Sequence, residues 1–138
     1  MKEKELIEKA KKARLKAYAP YSGFKVGAAL LTRSGKVHTG ANVENSTFSL
    51  TVCAERVAVF KAVARGDKDF AKIVVVADKG LPITPCGACR QVLSEFAKDL
   101  KIVCTNLQGK IERYSLKELL PEAFEKGSTD RTDKRVNG

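Results

Sequence analysis

The chain has no long apolar run. Nothing in its 138 residues approaches the roughly 20 consecutive apolar residues of a membrane span, so no membrane partner is expected. It also lacks the marks of a secretory leader: Met1-Lys2-Glu3-Lys4-Glu5 is charged from the start, and no apolar segment with a small-residue cleavage site follows. A cytoplasmic location is the expectation. Histidine occurs once, as His38, and alternation along its strand gives it a surface or half-buried place rather than a ligand's. Aromatic residues make up only 7% of the chain, and neither repeats nor linkers are visible.

What is present fits a single layered domain. The hydrophobic fraction of 43% and the charged fraction of 30% are ordinary for a globular protein of this length. The formal net charge of +10 raises the question of a nucleic-acid partner. Its distribution argues against one, because the basic residues are spread over Lys2 to Lys16, Lys61 to Lys72 and Lys98 to Arg113, with few aromatics among them. A mixed, solvated surface is expected, with no nucleic-acid partner.

Periodicity places the elements. Leu6, Ile7, Ala10, Ala13, Leu15 and Ala17 recur at helical intervals among lysines, which predicts an amphipathic helix over Glu5 to Tyr18. Pro20, Ser22 and Gly23 break it. Phe24 to Leu31 and Lys36 to Asn42, joined by Ser34-Gly35, read as a hairpin, and a polar loop from Glu44 to Thr47 follows. A helix over Val52 to Ala64 stops at Gly66. Ile73 to Ala77 is wholly apolar, as in a strand covered on both faces. After a loop from Lys79 to Pro85, a helix runs from Cys86 to Ala97. A second hairpin, Lys101 to Thr105 with Lys110 to Tyr114, leads to a short helix at Leu116 to Leu120 that Pro121 ends. This order predicts an α/β fold, a three-layer α/β/α sandwich on one five-stranded mixed sheet. Residues 1–125 form the domain; residues 126–138 are a polar, flexible tail.

Three of the four cysteines lie in two short blocks, Cys53-Ala54-Glu55-Arg56 and Pro85-Cys86-Gly87-Ala88-Cys89. Both blocks fall at predicted helix starts, so two helix N-termini converge on one point. A Cys-x-x-Cys pair could be a redox couple. With Cys53 and Glu55 beside it, the pattern reads instead as a zinc site, one Zn²⁺ per chain, whose three protein ligands leave the fourth position to water. Three thiolates leave such a site one negative charge in excess. Each helix N-terminus offers roughly half a positive charge, and Arg56 adds donors suited to sulfur, which gives it a supporting role behind the ligands. Cys104, in an apolar strand, reads as a small core residue. Arg90 and Glu95 read as surface or interface packing.

These blocks match the signature of zinc deaminases, in which a glutamate that is not a ligand moves the protons. The chain resembles the small, three-cysteine, homotetrameric cytidine deaminases. The likeness runs from Pro20-Tyr21-Ser22-Gly23-Phe24 through Asn42-Val43-Glu44-Asn45 and both cysteine blocks, on to Arg90-Gln91-Val92-Leu93 and Leu119-Leu120-Pro121. The resemblance implies that Cys53, Cys86 and Cys89 hold zinc and that Glu55 carries protons between water and the pyrimidine. It further implies that Asn42 and Glu44 bind the ribose, that Phe24 packs against the base, and that Ala54 is among the substrate contacts. Phe48 and Phe124 would close pockets of neighbouring subunits in a homotetramer. Many relatives have tyrosine where this chain has Phe48, so any hydrogen bond from that hydroxyl is missing here. The implied reaction is hydrolysis of cytidine and 2'-deoxycytidine to uridine and 2'-deoxyuridine with release of ammonia, a step of pyrimidine salvage. Phe24, Phe48 and Phe124 could equally be plain core. Three rival functions are a deaminase of a cytosine nucleoside antibiotic such as blasticidin S, a nucleic-acid deaminase, and a non-catalytic zinc module closed by Cys104 or His38. The Asn42/Glu44 pair argues against the first; the second would need a groove for flanking nucleotides.

Overall fold

The first helix of the computed structural model, α1 (Glu3–Arg14), buries Leu6, Ile7 and Ala10 and turns its lysines outward. Glu3 and Glu5 in its first turn and Lys11, Lys12 and Arg14 in its last complement the helix dipole. The structure describes residues 1–78 and 80–126, so the expected tail, apart from Lys126, lies outside the described residues. The helix ends earlier than the apolar spacing predicts. Leu15, Lys16 and Ala17 close tighter turns onto Lys12, Ala13 and Arg14. The reason lies at Tyr18, whose backbone is taken by a bridge to Val43: its N–H donates to Asn42 at 2.9 Å and its carbonyl accepts from Glu44 at 2.8 Å.

Two strands follow, β1 (Val26–Thr32) and β2 (Val37–Ala41), paired antiparallel as the expected hairpin. A single 3₁₀ turn spans Phe48–Leu50 ahead of α2 (Ala54–Ala64). β3 (Phe70–Ala77) pairs antiparallel with β1 and parallel with β4 (Lys101–Asn106), and α3 (Gly87–Ser94) crosses between the two parallel strands. β5 (Ile111–Ser115) closes the far edge, and α4 (Leu116–Leu119) follows with a reciprocal cap between Ser115 and Glu118. The sheet order is β2-β1-β3-β4-β5.

Alternation along β1 assigns the faces. Ala29 meets Leu6, Ile7 and Ala10 of α1 on one side, together with Val74, Val76 and Val103. Ala28 and Leu30 face Ala54, Ala58, Val59 and Ala62 of α2 on the other, with Leu93, Cys104 and Leu116 completing that larger core. The result is the expected three-layer sandwich on a five-stranded mixed sheet. Among the described residues no helix is long and apolar enough to cross a membrane.

His38 departs from expectation. It is only 5% exposed, and its Nε2 lies 2.7 Å from a carboxylate oxygen of Asp67. Asp67 follows α2 and donates its backbone N–H to Ala62, which folds it over the edge strand. Burial of an imidazole is tolerated because the carboxylate satisfies it.

One glycine decides how closely α2 approaches the sheet. A Cβ built on Gly40 would stand 2.4 Å from the Ala54 carbonyl oxygen and 2.6 Å from the Ala58 nitrogen, both immobile backbone. Gly40→Ala must therefore separate β2 from the first turn of α2, which costs about 1–3 kcal/mol, as overpacking does. The expected outcome is a melting temperature lowered by several degrees in thermal unfolding. Wild-type melting would show that the contact is looser than this geometry.

Candidate active site

Two helix starts build the site. Cys53 caps α2 and Cys86 caps α3, each with extended backbone angles and neither with its side chain spent on capping. The helices then begin regularly, Val57 donating to the Cys53 carbonyl at 3.1 Å and Arg90 to that of Cys86 at 2.9 Å. Cys89 sits one turn into α3, so its thiol returns to the same end as that of Cys86. The Sγ atoms of Cys53 and Cys86 are 3.8 Å apart, those of Cys86 and Cys89 3.5 Å, and all three lie within 4.8 Å of one another.

That spacing fits zinc. Tetrahedral zinc with sulfur at about 2.3 Å places its ligand sulfurs about 3.8 Å apart. Cys53 is half-buried, Cys86 exposed and Cys89 buried, so the cluster has one wet side. Cys104, buried in β4, stands apart as a core residue whose thiol burial pushes up to about 12.

Negative charge at the cluster is supported from behind. Arg56 Nη2 donates to Cys53 Sγ at 3.4 Å. A hydrogen bond from Cys89 and this one from Arg56 hold the Cys53 thiol down at about 5, against the opposing effect of burial. The Cys89 thiol moves up, first because it is the donor to Cys53 and then through burial. The Nε of Arg56 is buried without a hydrogen-bond partner, a cost that the sulfur charge beside it offsets.

Glu55 follows Cys53 by two residues and is 5% exposed. Burial first, and the negative Cys53 next, raise its carboxyl to about 7. A carboxyl so placed exchanges protons near neutrality, which suits a general acid–base.

A second group of residues gathers beside the cluster. Asn42 is 8% exposed; its Oδ1 accepts from Val26 N–H at 2.8 Å and its Nδ2 donates to the Phe24 carbonyl at 2.9 Å. Glu44 accepts from the backbone N–H groups of Tyr21 at 3.0 Å and Ser22 at 3.1 Å, and from the Ser22 hydroxyl. The Ser22 hydroxyl is the first cause of a carboxyl pK held below the usual carboxylate range. The same hydroxyl oxygen accepts from Phe24 N–H at 2.9 Å, and Phe24 is half-buried. The two groups are joined by an antiparallel bridge between Val43 and Val52, which puts the Asn42–Glu44 loop one residue from Cys53. Ala54 is fully buried in the first turn of α2. Phe48 and Phe124 are 76% and 60% exposed. Phe48 meets Tyr21 edge-on at 6.4 Å, and Phe124 is fixed through its backbone by the Gln91 amide at 2.9 and 3.2 Å.

Two contributors escaped the sequence reading. Arg90, expected as surface or interface packing, donates to the Pro85 carbonyl at 2.7 Å, the Leu119 carbonyl at 2.9 Å and Thr84 Oγ1 at 3.1 Å, so it fixes the segment that delivers Cys86. Its position directly after Cys89, one turn above Cys86, was the available signal. Ser22 was read as a helix breaker and as part of the Pro20-to-Phe24 likeness, with no role of its own, because a hydroxyl two residues before Phe24 carries no periodic mark.

Thiols at tetrahedral spacing, one wet side and a nearly buried carboxyl poised near neutrality define a metal-dependent hydrolytic centre on an α/β sandwich. The family model described as cytidine and deoxycytidylate deaminase zinc-binding region matches residues 1–105. A cytidine deaminase of Sporosarcina psychrophila is 52% identical over 122 residues, covering 88% of this chain and 90% of that protein. A crystal structure of cytidine deaminase from Burkholderia pseudomallei superposes with a TM-score of 0.87 at 55% identity, over 90% of this chain and 100% of that one. A blasticidin-S deaminase of Bacillus cereus is more distant, 36% identical over 104 residues, 70% of this chain and 74% of that protein. This chain belongs to the zinc-binding cytidine and deoxycytidylate deaminase family.

Arg56→Gln tests the support behind Cys53. It should retain about one zinc per chain by metal analysis yet slow catalysis roughly tenfold or more, as loss of an outer partner of a metal site does. Wild-type rates in that variant would remove the role assigned to Arg56.

Proposed function

We propose that this protein hydrolyses cytidine and 2'-deoxycytidine to uridine and 2'-deoxyuridine with release of ammonia. The observation that carries the reading is Glu55, a carboxyl that is not a ligand, buried beside the thiol cluster and raised to about 7. Cys53, Cys86 and Cys89 would hold one zinc ion, which when bound supplies a Lewis acid that makes water nucleophilic near neutral pH. Glu55 takes a proton from the attacking water and delivers it to ring nitrogen N3, which leaves C4 more electrophilic. The water oxygen bonds to C4; Glu55 next takes the remaining hydroxyl proton and passes it to the amine, so that the C4–N bond breaks to give ammonia and the uracil carbonyl. No organic cofactor is required, because the amidine carbon is already electrophilic.

The pocket residues divide the substrate between them. Phe24 packs against the base. Asn42 has a second amide hydrogen beyond the one given to Phe24, and Glu44 retains acceptor capacity beyond its bonds to Ser22 and Tyr21, so both can meet sugar hydroxyls. Ala54, in the first turn of α2, has a backbone N–H without an intrahelical acceptor to offer the ligand. Phe48 and Phe124, exposed on one chain, close neighbouring pockets in a homotetramer. Cysteines that must stay reduced fit a cytoplasmic enzyme of pyrimidine salvage.

An ultraviolet absorbance assay tests this with cytidine, 2'-deoxycytidine, blasticidin S and a cytosine oligonucleotide. The first two should turn over and the oligonucleotide should not. Glu55→Gln should keep fold and zinc while losing at least about 10²-fold in rate, the scale of a missing general acid–base. If Glu55→Gln deaminates cytidine as fast as wild type, the mechanism is wrong.

A further inference from the structure

Arg14 and Asp78 stand outside the zinc centre. Yet they reach the segment that carries Phe24. Arg14 ends α1, and Asp78 is the first residue beyond β3. Arg14 Nη2 lies 2.6 Å from Asp78 Oδ2, and its Nε donates to the Lys25 carbonyl at 3.2 Å. The side chains are only 12% and 29% exposed, so this is a shielded, charge-assisted contact rather than a surface pair. The sheet register accounts for the meeting. Val26 of β1 lies opposite Ala77 of β3, so Lys25 and Asp78 are the next residues beyond that pair.

The approach of α1 depends on Gly27. A Cβ there would stand 2.1 Å from the Ala10 carbonyl oxygen and 2.6 Å from the Arg14 nitrogen. Only a bare backbone lets the last turn of α1 come down far enough for Arg14 to bond Lys25. The stretch from Phe24 to Val26 is then held at successive peptide groups. Phe24 N–H bonds Ser22, the Phe24 carbonyl and Val26 N–H bond Asn42, and the Lys25 carbonyl bonds Arg14. Asn42 is among the residues proposed to meet the sugar, and Ser22 bonds Glu44 beside it. Arg14 is the one member of this set that acts from the opposite layer of the sandwich.

We propose that Arg14, oriented by Asp78, is a positioning residue for substrate affinity: it fixes the backbone that aims Phe24 at the base. The proposal rests on the reading of Phe24 as the base-packing wall. Arg14 touches neither substrate nor metal. It should therefore govern how well cytidine is held, and leave the chemistry at Glu55 alone.

Steady-state kinetics on cytidine, metal analysis and thermal unfolding of Arg14→Lys, Phe24→Ala and the double variant test it. Arg14→Lys keeps the charge toward Asp78 and so the fold, but lacks the planar fork that also reaches Lys25. Its KM should rise roughly five- to tenfold, the scale of one ordinary hydrogen bond, with kcat and zinc content close to wild type. In the Phe24→Ala background the same substitution should raise KM no further, because the two act as one unit. Asp78→Asn, which keeps an oxygen acceptor, should raise KM less. The proposal is overturned by an unchanged KM in Arg14→Lys with a lowered melting temperature, which would make the pair a plain structural clamp. It is also overturned by a lower kcat or lost zinc, and by an equal KM rise with and without Phe24. A wild-type KM in Phe24→Ala alone would instead remove the base-wall reading on which the proposal stands.

Discussion

The thiols of Cys53 and Cys86 meet at 3.8 Å because two helices begin at the same place over the sheet, and the rest of the site depends on that meeting. Each cysteine is the residue that starts its helix, so its side chain projects into the field of the free N–H groups. A cluster of three thiols tends to carry excess negative charge. Here that charge faces two helix N-termini and the Arg56 guanidinium, and Glu55 in the first turn of α2 feels both burial and the nearby sulfur. The same placement that binds a metal therefore also sets the proton affinity of the group beside it.

Holding two helix starts in register requires contacts well away from the sulfurs. Gly40 lets α2 lie directly on the β1–β2 hairpin, and Arg90 ties the segment before α3 to the end of α4. The residues proposed to meet sugar and base are held differently. Glu44, Ser22, Phe24 and Asn42 form a chain of hydrogen bonds in which each polar group serves two neighbours, so that the residues assigned to sugar and base share one scaffold. By contrast, Phe48 and Phe124 stand open to solvent on this chain.

Much of this was legible in the sequence, for identifiable reasons. Alternation and apolar runs located the five strands of the described residues, because burial of one or both faces is what a strand's side chains encode directly. The cysteine blocks gave the metal cluster, since spacing on a helix start fixes which thiols converge. Boundaries shifted where tertiary bonds competed with local preference: α1 stops at Arg14 because Tyr18 bridges Val43. His38 alternates like a surface residue and is buried because Asp67, from a distant turn, covers it. Arg90 and Ser22 were misjudged for the same cause, as their partners are backbone groups that only the folded chain brings near. Nothing in periodicity marks a side chain whose work is to hold a loop.

Three cysteine ligands with the fourth position left to water separate a catalytic zinc centre from a structural one. Zinc-edge X-ray absorption on the purified protein measures this directly. Three sulfur scatterers at about 2.3 Å with one oxygen at about 2.0–2.2 Å are the expected shell. A shell of four sulfurs, or three sulfurs with an imidazole nitrogen, would show the site closed by Cys104 or His38 and contradict the account.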